Sequence, residues 1–179
     1  RTGRVTALAD LGPRIVIMGP SNSGKSTLAD AIGRARDMPV VHLDQLHHLP
    51  NTDLQPRPAE EFRELHDHAI TGSRWVMDGN YRRLLPQRLD RASGAILIKT
   101  SRTTSLFRYF RRSWFEKDRR GGLAGGKESV KWDMIHHILI GTPPFRTRFS
   151  PVFERDGLPI IELGNTSALA EFYRSEGLD

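Results

Sequence analysis

Apolar residues along this chain gather into five short continuous runs, and between the runs they recur every three or four positions. The runs are Ile15-Val16-Ile17-Met18, Val40 to Asp44, Arg74 to Asp78, Ala95-Ile96-Leu97-Ile98 and Leu158 to Leu163. All are too short for a stable helix and most carry β-branched residues, so each predicts a buried strand. After the first run, Leu28, Ala31, Ile32 and Ala35 repeat at helical spacing, and the predicted helix from Lys25 ends near Arg36, ahead of Pro39. A second helix is expected from near Pro58, with Phe62, Leu65, Ala69 and Ile70 on its inner face and Thr71-Gly72-Ser73 stopping it. Leu84, Leu85 and Leu89 mark a short helical stretch, and longer patterns cover about 103–114, 129–140 and 168–176. Gln45 to Arg57 reads as loop, and residues 1–13 show no period, read as an N-terminal extension packed on the domain or partly disordered, and receive no function. Strands alternating with helices specify one α/β domain with a parallel sheet and right-handed crossovers.

Ligands in such sheets bind beyond the carboxyl ends of the strands, so the residues just past each run are the first candidates for chemistry. The first run leads into Gly19-Pro20-Ser21-Asn22-Ser23-Gly24-Lys25-Ser26-Thr27. Glycine, four residues and then Gly-Lys-Ser is the spacing of the phosphate-binding loop of P-loop NTPases, here in the required setting between a strand and a helix. Its glycines let backbone N–H groups across Gly19, Ser21, Asn22, Ser23 and Gly24 face an anion, and the helix opening at Lys25, Ser26 and Thr27 adds its positive end. Lys25 can reach the β- and γ-phosphates, and the Ser26 hydroxyl can ligate a Mg²⁺ that keeps most of its water. The second and third runs both close on a carboxylate, Asp44 and Asp78, so both aspartates are expected at strand ends in the same crevice.

Composition narrows the setting. The chain has 179 residues, a single domain's worth, and a formal net charge of +6. Nine Lys/Arg against three acids between Arg102 and Lys131 account for the whole excess. Positive charge concentrated in one segment suits a device that closes over phosphates at least as well as a nucleic-acid face. Trp114, Trp132, Phe145 and Phe149 lie in or close to that segment, and core packing explains them more simply than base stacking. Nucleic acid is thus a less favoured partner than a nucleoside triphosphate and a small-molecule acceptor. With no cysteine, no apolar stretch of membrane-spanning length and no signal-like N-terminal run, a reducing cytoplasm is the expected home and no membrane partner is expected.

The glycine loop, Asp78-Gly79-Asn80-Tyr81-Arg82 and an arginine-bearing helix followed by a basic excursion resemble the adenylate kinase-like branch of P-loop kinases. Within it the chain is most similar to the FlaR-like or "DNA topology modulation" proteins, on His42-Leu43-Asp44 and Asp78-Gly79-Asn80-Tyr81. The resemblance covers about Arg14 to Tyr173. It implies a five-stranded parallel sheet in the order 2-3-1-4-5, an acceptor-binding insertion at about 45–73 and an arginine-rich lid at about 113–150. It further implies ATP and Mg²⁺ as cofactors, with Asp78 ordering water around the metal and Arg82 gripping an acceptor phosphate. Arg108 would face the adenine, and Arg112 the transferring phosphoryl group.

Asp44 bears on the reaction subtype: a hydroxyl acceptor benefits from a carboxylate that takes its proton, whereas an anionic phosphate acceptor needs arginines instead. The expected function is ATP- and Mg²⁺-dependent phosphoryl transfer to a nucleotide, nucleoside or other small polar acceptor. A nucleotide-switched DNA-binding protein and a sugar-nucleotide kinase toxin are the alternatives. Two departures from the subgroup stand out. The fourth strand runs into Lys99 where relatives carry a carboxylate, and His47-His48 replace an aromatic after Asp44. His42, His47 and His48 lack a strong metal-ligand spacing, and His66 and His68 are expected at the surface.

Overall fold

The computed structural model describes residues 7–99, 147 and 149–178. Its elements are a 3₁₀ turn at Leu8–Leu11, β1 (Arg14–Met18), α1 (Lys25–Arg36), β2 (Val40–His42), α2 (Leu43–His47), α3 (Ala59–Ala69) and β3 (Trp75–Asp78). A 3₁₀ turn at Arg82–Leu84 then leads into α4 (Leu85–Arg91), β4 (Gly94–Ile98), α5 (Ser150–Phe153), β5 (Ile160–Leu163) and α6 (Thr166–Ser175). Every strand pairs in parallel, in the order β2-β3-β1-β4-β5. This is the five-stranded sheet of the P-loop fold class, in the order expected.

Alternation along the strands divides the core into two layers. Ile15, Ile17, Val76, Ile96 and Ile98 face one side with Leu28 and Ile32 of α1 and Leu169 and Phe172 of α6. Val16, Met18, Met77 and Leu97 face the other, against Leu43, Leu85, Leu89, Phe149 and Val152. Register brings the critical ends together. Ile17 lies beside Asp78, and Asp78 beside His42, so the last residues of β2 and β3 flank the chain as it leaves β1 for the phosphate loop.

Several expectations need correction. The second strand ends at His42, and Leu43 to His47 form a helical turn, so Asp44 sits on α2 and not at a strand end. The cause is Leu43, wholly buried beneath the sheet, which turns the chain inward before the carboxylate is reached. The same turn converts the start of the predicted loop into helix. On α3 the buried positions are Phe62 and His66, while Leu65 is 39% exposed. The buried stripe is centred on a histidine that apolar periodicity cannot count, which overturns the surface assignment of His66; His68 is exposed as expected. The expected helices over 103–114 and 129–140 lie outside the described residues, as do Arg108, Arg112, Trp114, Trp132 and Phe145. Phe149 is buried in the core, in keeping with the packing expectation. Among the described residues no helix is long and apolar enough to cross a membrane.

The described part of the N-terminal extension packs on the domain. Leu8 and Leu11 are buried, and the Leu8 amide donates to Glu176 Oε1 (3.0 Å), fastening the turn to the chain just past α6. That turn rests on Gly94, where an added Cβ would stand 2.6 Å from Leu11 Cβ and 2.7 Å from its backbone. Gly94→Ala is therefore expected to destabilise the fold by ~1–3 kcal/mol through overpacking. The check is a lower urea midpoint at unchanged slope; a wild-type midpoint would mean that the turn does not press on β4 in solution.

Candidate active site

The phosphate loop leaves β1 and enters α1 through Gly24, whose φ of 95° belongs to the left-handed region that glycine tolerates. Lys25 Nζ folds back to donate to Pro20 O (2.7 Å), so the ammonium is held against its own loop. The mouth of the loop is clamped from β3. Gly19 N donates to Asn80 Oδ1 (3.2 Å) and Asn80 Nδ2 donates to Gly19 O (2.9 Å). One side-chain amide thus satisfies both polar groups of the first glycine, a role the sequence did not assign to Asn80.

Asp78 is 5% exposed and bonded through both oxygens. Ser26 Oγ donates to Oδ2 (2.7 Å) and His42 Nδ1 contacts Oδ1 (2.6 Å), while His42 Nε2 reaches Asp30 Oδ1 on α1 (3.0 Å). A carboxylate only accepts, so both contacts are hydrogen bonds when both ring nitrogens carry protons. Burial alone would lower the His42 pKa, but the hydrogen bond and charge of Asp78, then those of Asp30, raise it above its ordinary value. His42 is therefore a bridge between two acids.

Ser26 and Asp78 fit the expected Mg²⁺. They offer hydroxyl and carboxylate, both hard oxygen donors, and a cation with ligands at ~2.1 Å holds neighbouring ligand oxygens about 2.9 Å apart, close to the spacing seen. Among the described residues no group of three or more acidic or histidine side chains is gathered for a metal. A cation here would draw its remaining ligands from water and phosphate, as Mg²⁺ does.

On the far side of the same loop, Tyr81 joins Asp44. Its hydroxyl donates to Asp44 Oδ1 (2.5 Å), and burial followed by the Asp44 charge pushes the Tyr81 pKa up, so it remains a donor. Asp44 itself is exposed. Around Tyr81 the rings of His47 (centroids 4.8 Å apart) and Phe62 (5.1 Å) form a cluster, and Phe62 also meets His47 edge-on at 5.0 Å. His48 Nδ1 contacts Asp44 O (3.0 Å), and its Nε2 lies 3.2 Å from His47 Nδ1. Burial, then the neighbouring His48, lowers the His47 pKa and favours its neutral form. The two histidines thus form part of an aromatic wall beside Asp44.

Arg88 binds these parts into one unit, and sequence reasoning missed it. It is wholly buried, with one terminal nitrogen donating to Gly79 O (3.0 Å) and the other to Asn80 O (2.7 Å) and Tyr81 O (3.0 Å). Burial pushes its pKa down to about 10, which leaves it charged at neutral pH. A signal was present: Arg88 shares the inward face of α4 with Leu85 and Leu89. Arg82 comes directly after this loop, is exposed, and donates to Thr147 O (3.3 Å). Lys99, just past β4, pairs with Glu162 of β5 (2.6 Å). Lys25, Ser26, Asp78 and Asn80 therefore surround the phosphate loop, Asp44 joins them through Tyr81, and Arg108 and Arg112 lie outside the described residues.

No family model matches the sequence, and no curated protein matches it. Solved structures do. A shikimate kinase from Bacteroides thetaiotaomicron is similar over 93% of this chain and 99% of its own, at 19% identity and a TM-score of 0.51. A gluconokinase from Sinorhizobium meliloti covers 93% and 95% at 17% identity and a TM-score of 0.46. A sugar kinase from Janibacter sp. covers 92% of both chains at 13% identity and a TM-score of 0.46. The shikimate kinase likeness shows the fold, a P-loop kinase-like sheet, and nothing finer.

The Arg88 web generates its own test. Arg88→Leu leaves three carbonyls without their donor, and at ~1 kcal/mol or more for each such group the variant is expected to lose about 3 kcal/mol of stability. Urea unfolding measures it. Stability equal to the wild type would mean that the loop is held by something other than the guanidinium.

Proposed function

We propose that this chain transfers the γ-phosphoryl group of ATP, with Mg²⁺, to a small polar acceptor such as a nucleoside or nucleotide. The observation that carries the reading is the loop from Asp78 to Arg82. One end meets the Ser26 hydroxyl at the phosphate loop, and three residues later Tyr81 holds the Asp44 carboxylate. A phosphate cradle and an exposed carboxylate joined by a short rigid segment suit a reaction in which catalysis is positioning and charge stabilisation.

The phosphate-loop amides across Gly19 to Ser26 bind the triphosphate, and Lys25 leaves Pro20 O to take the β- and γ-oxygens. Mg²⁺ at Ser26 and Asp78 would neutralise charge building on the phosphate oxygens. Asp44, oriented by Tyr81, takes the proton of an acceptor hydroxyl as its oxygen bonds to phosphorus and the bond to the departing diphosphate breaks. Arg82, the residue after Tyr81, is assigned to steady the acceptor. Arg108 and Arg112 are assigned to the adenine and to the transferring phosphoryl group, the second because a guanidinium stays charged and can fork onto two oxygens. The segments at about 45–73 and 113–150 serve as acceptor-binding insertion and lid.

Incubation with ATP, Mg²⁺ and a panel of nucleosides, nucleotides and small alcohols, read by ADP release and phosphorus NMR, tests the proposal. Acceptor-dependent turnover is expected, and none across the panel would remove the reading. Asp44→Asn should lower kcat on a hydroxyl acceptor by ~10²–10⁴, the scale of a lost general base, while ATP still binds. Lys25→Ala should instead weaken ATP binding itself, as calorimetry would record.

A further inference from the structure

We infer that His47 is a specificity-determining residue of the acceptor subsite: its bare Nε2 and the free oxygen of Asp44 together accept from a pair of hydroxyls, so the acceptor is a polyol, sugar or ribonucleoside and not a phosphomonoester. The inference rests on the phosphotransferase reading above and adds the acceptor's class.

The protons decide the assignment. Asp44 O is a backbone carbonyl and can only accept, so His48 Nδ1, 3.0 Å away, carries a hydrogen. When His48 carries that one hydrogen alone, its Nε2 keeps a lone pair. His47 Nδ1, 3.2 Å from that lone pair, must then be the donor. With its one hydrogen on Nδ1, His47 has a lone pair on Nε2. Phe62 and Tyr81 hold the ring in place, edge-on at 5.0 Å and tilted at 4.8 Å.

Asp44 and His47 are three residues apart on α2 and so lie on the same side of it. Both also touch Tyr81, Asp44 through the phenol oxygen and His47 through the ring. The phenol occupies Asp44 Oδ1; among the described residues neither Asp44 Oδ2 nor His47 Nε2 has a partner. Two acceptors on one side of α2 call for two donors. Hydroxyls supply them, whereas an ionised phosphate brings only lone pairs and would meet a carboxylate and a second lone pair. Among the described residues, Arg57 bonds Leu46 O and Glu61, Arg88 bonds three carbonyls, and Arg82 donates to Thr147 O.

The test compares adenosine, cytidine, D-ribose, myo-inositol and glycerol with AMP, CMP and UMP under ATP and Mg²⁺, by ADP release and phosphorus NMR. Turnover is expected with at least one of the unphosphorylated compounds. For that compound His47→Phe, which keeps a ring and deletes the lone pair, should raise the acceptor KM about tenfold or more, the scale of one lost hydrogen bond to a substrate hydroxyl. The KM for ATP should move much less. His47→Gln, with an amide oxygen to accept, should restore most of the acceptor KM, a rescue that a packing role would not give. Turnover of mononucleotides alone would overturn this inference and leave the phosphotransferase reading standing. An acceptor KM indifferent to His47→Phe would overturn it too. No turnover with any compound would remove the phosphotransferase reading and this inference with it.

Discussion

A wholly buried guanidinium that, among the described residues, hydrogen-bonds only carbonyls is costly to desolvate, and the rest of the site depends on how that cost is offset. Arg88 does it with three successive carbonyls, Gly79, Asn80 and Tyr81. A run of carbonyls bent around one cation has little freedom left. Since that loop begins at Asp78 and ends at Arg82, a residue of α4 sets the positions of side chains that face both halves of the crevice. The same fork geometry that makes arginine useful on phosphate is here turned onto backbone, where a lysine's compact charge would serve less well.

From that loop two chains of contact run in opposite directions. Toward the phosphate loop, Asn80 clamps Gly19 and Asp78 takes Ser26, with His42 and Asp30 bracing Asp78 from behind. The two acids raise the His42 pKa between them, so the imidazole ties Asp78 to Asp30 on α1. Toward α2, Tyr81 holds Asp44 and packs on His47. Short hydrogen-bonded links, not a large apolar surface, thus fix the relative placement of the two half-sites. Such links transmit error as well as order, because a displaced Tyr81 would carry Asp44 with it.

Much of this was legible in the sequence, and the limits have physical causes. The phosphate loop could be read because its spacing reflects backbone geometry that few other residue types support. The sheet order came from resemblance and from five buried runs, which a parallel sheet covered on both faces requires. Asp44 was placed on the wrong element because a run of five apolar and polar residues does not say where a strand ends; the inward turn of Leu43 does. His66 and Leu65 exchanged roles because periodicity counts histidine as polar, although its ring packs well and burial holds it neutral. Arg88 went unnoticed for the same reason: a cation on an apolar face looks like an interruption until its three carbonyl partners are seen. Asn80 was visible only as a letter in a motif, since an amide's two bonds to Gly19 depend on sheet register.

A histidine in the wall beside Asp44 should wet it, yet the rings of Phe62 and Tyr81 meet His47 at close range. An imidazole differs from a benzene ring at its edge. An imidazole keeps the stacking area and adds one polar atom whose character, donor or acceptor, is decided by its other nitrogen. Here the contact with His48 Nε2 bears on that choice, and the Asp44 carbonyl takes the hydrogen of His48 Nδ1. The residue proposed to take the acceptor's proton therefore also sets, through two rings, the hydrogen-bonding sense of the group beside it.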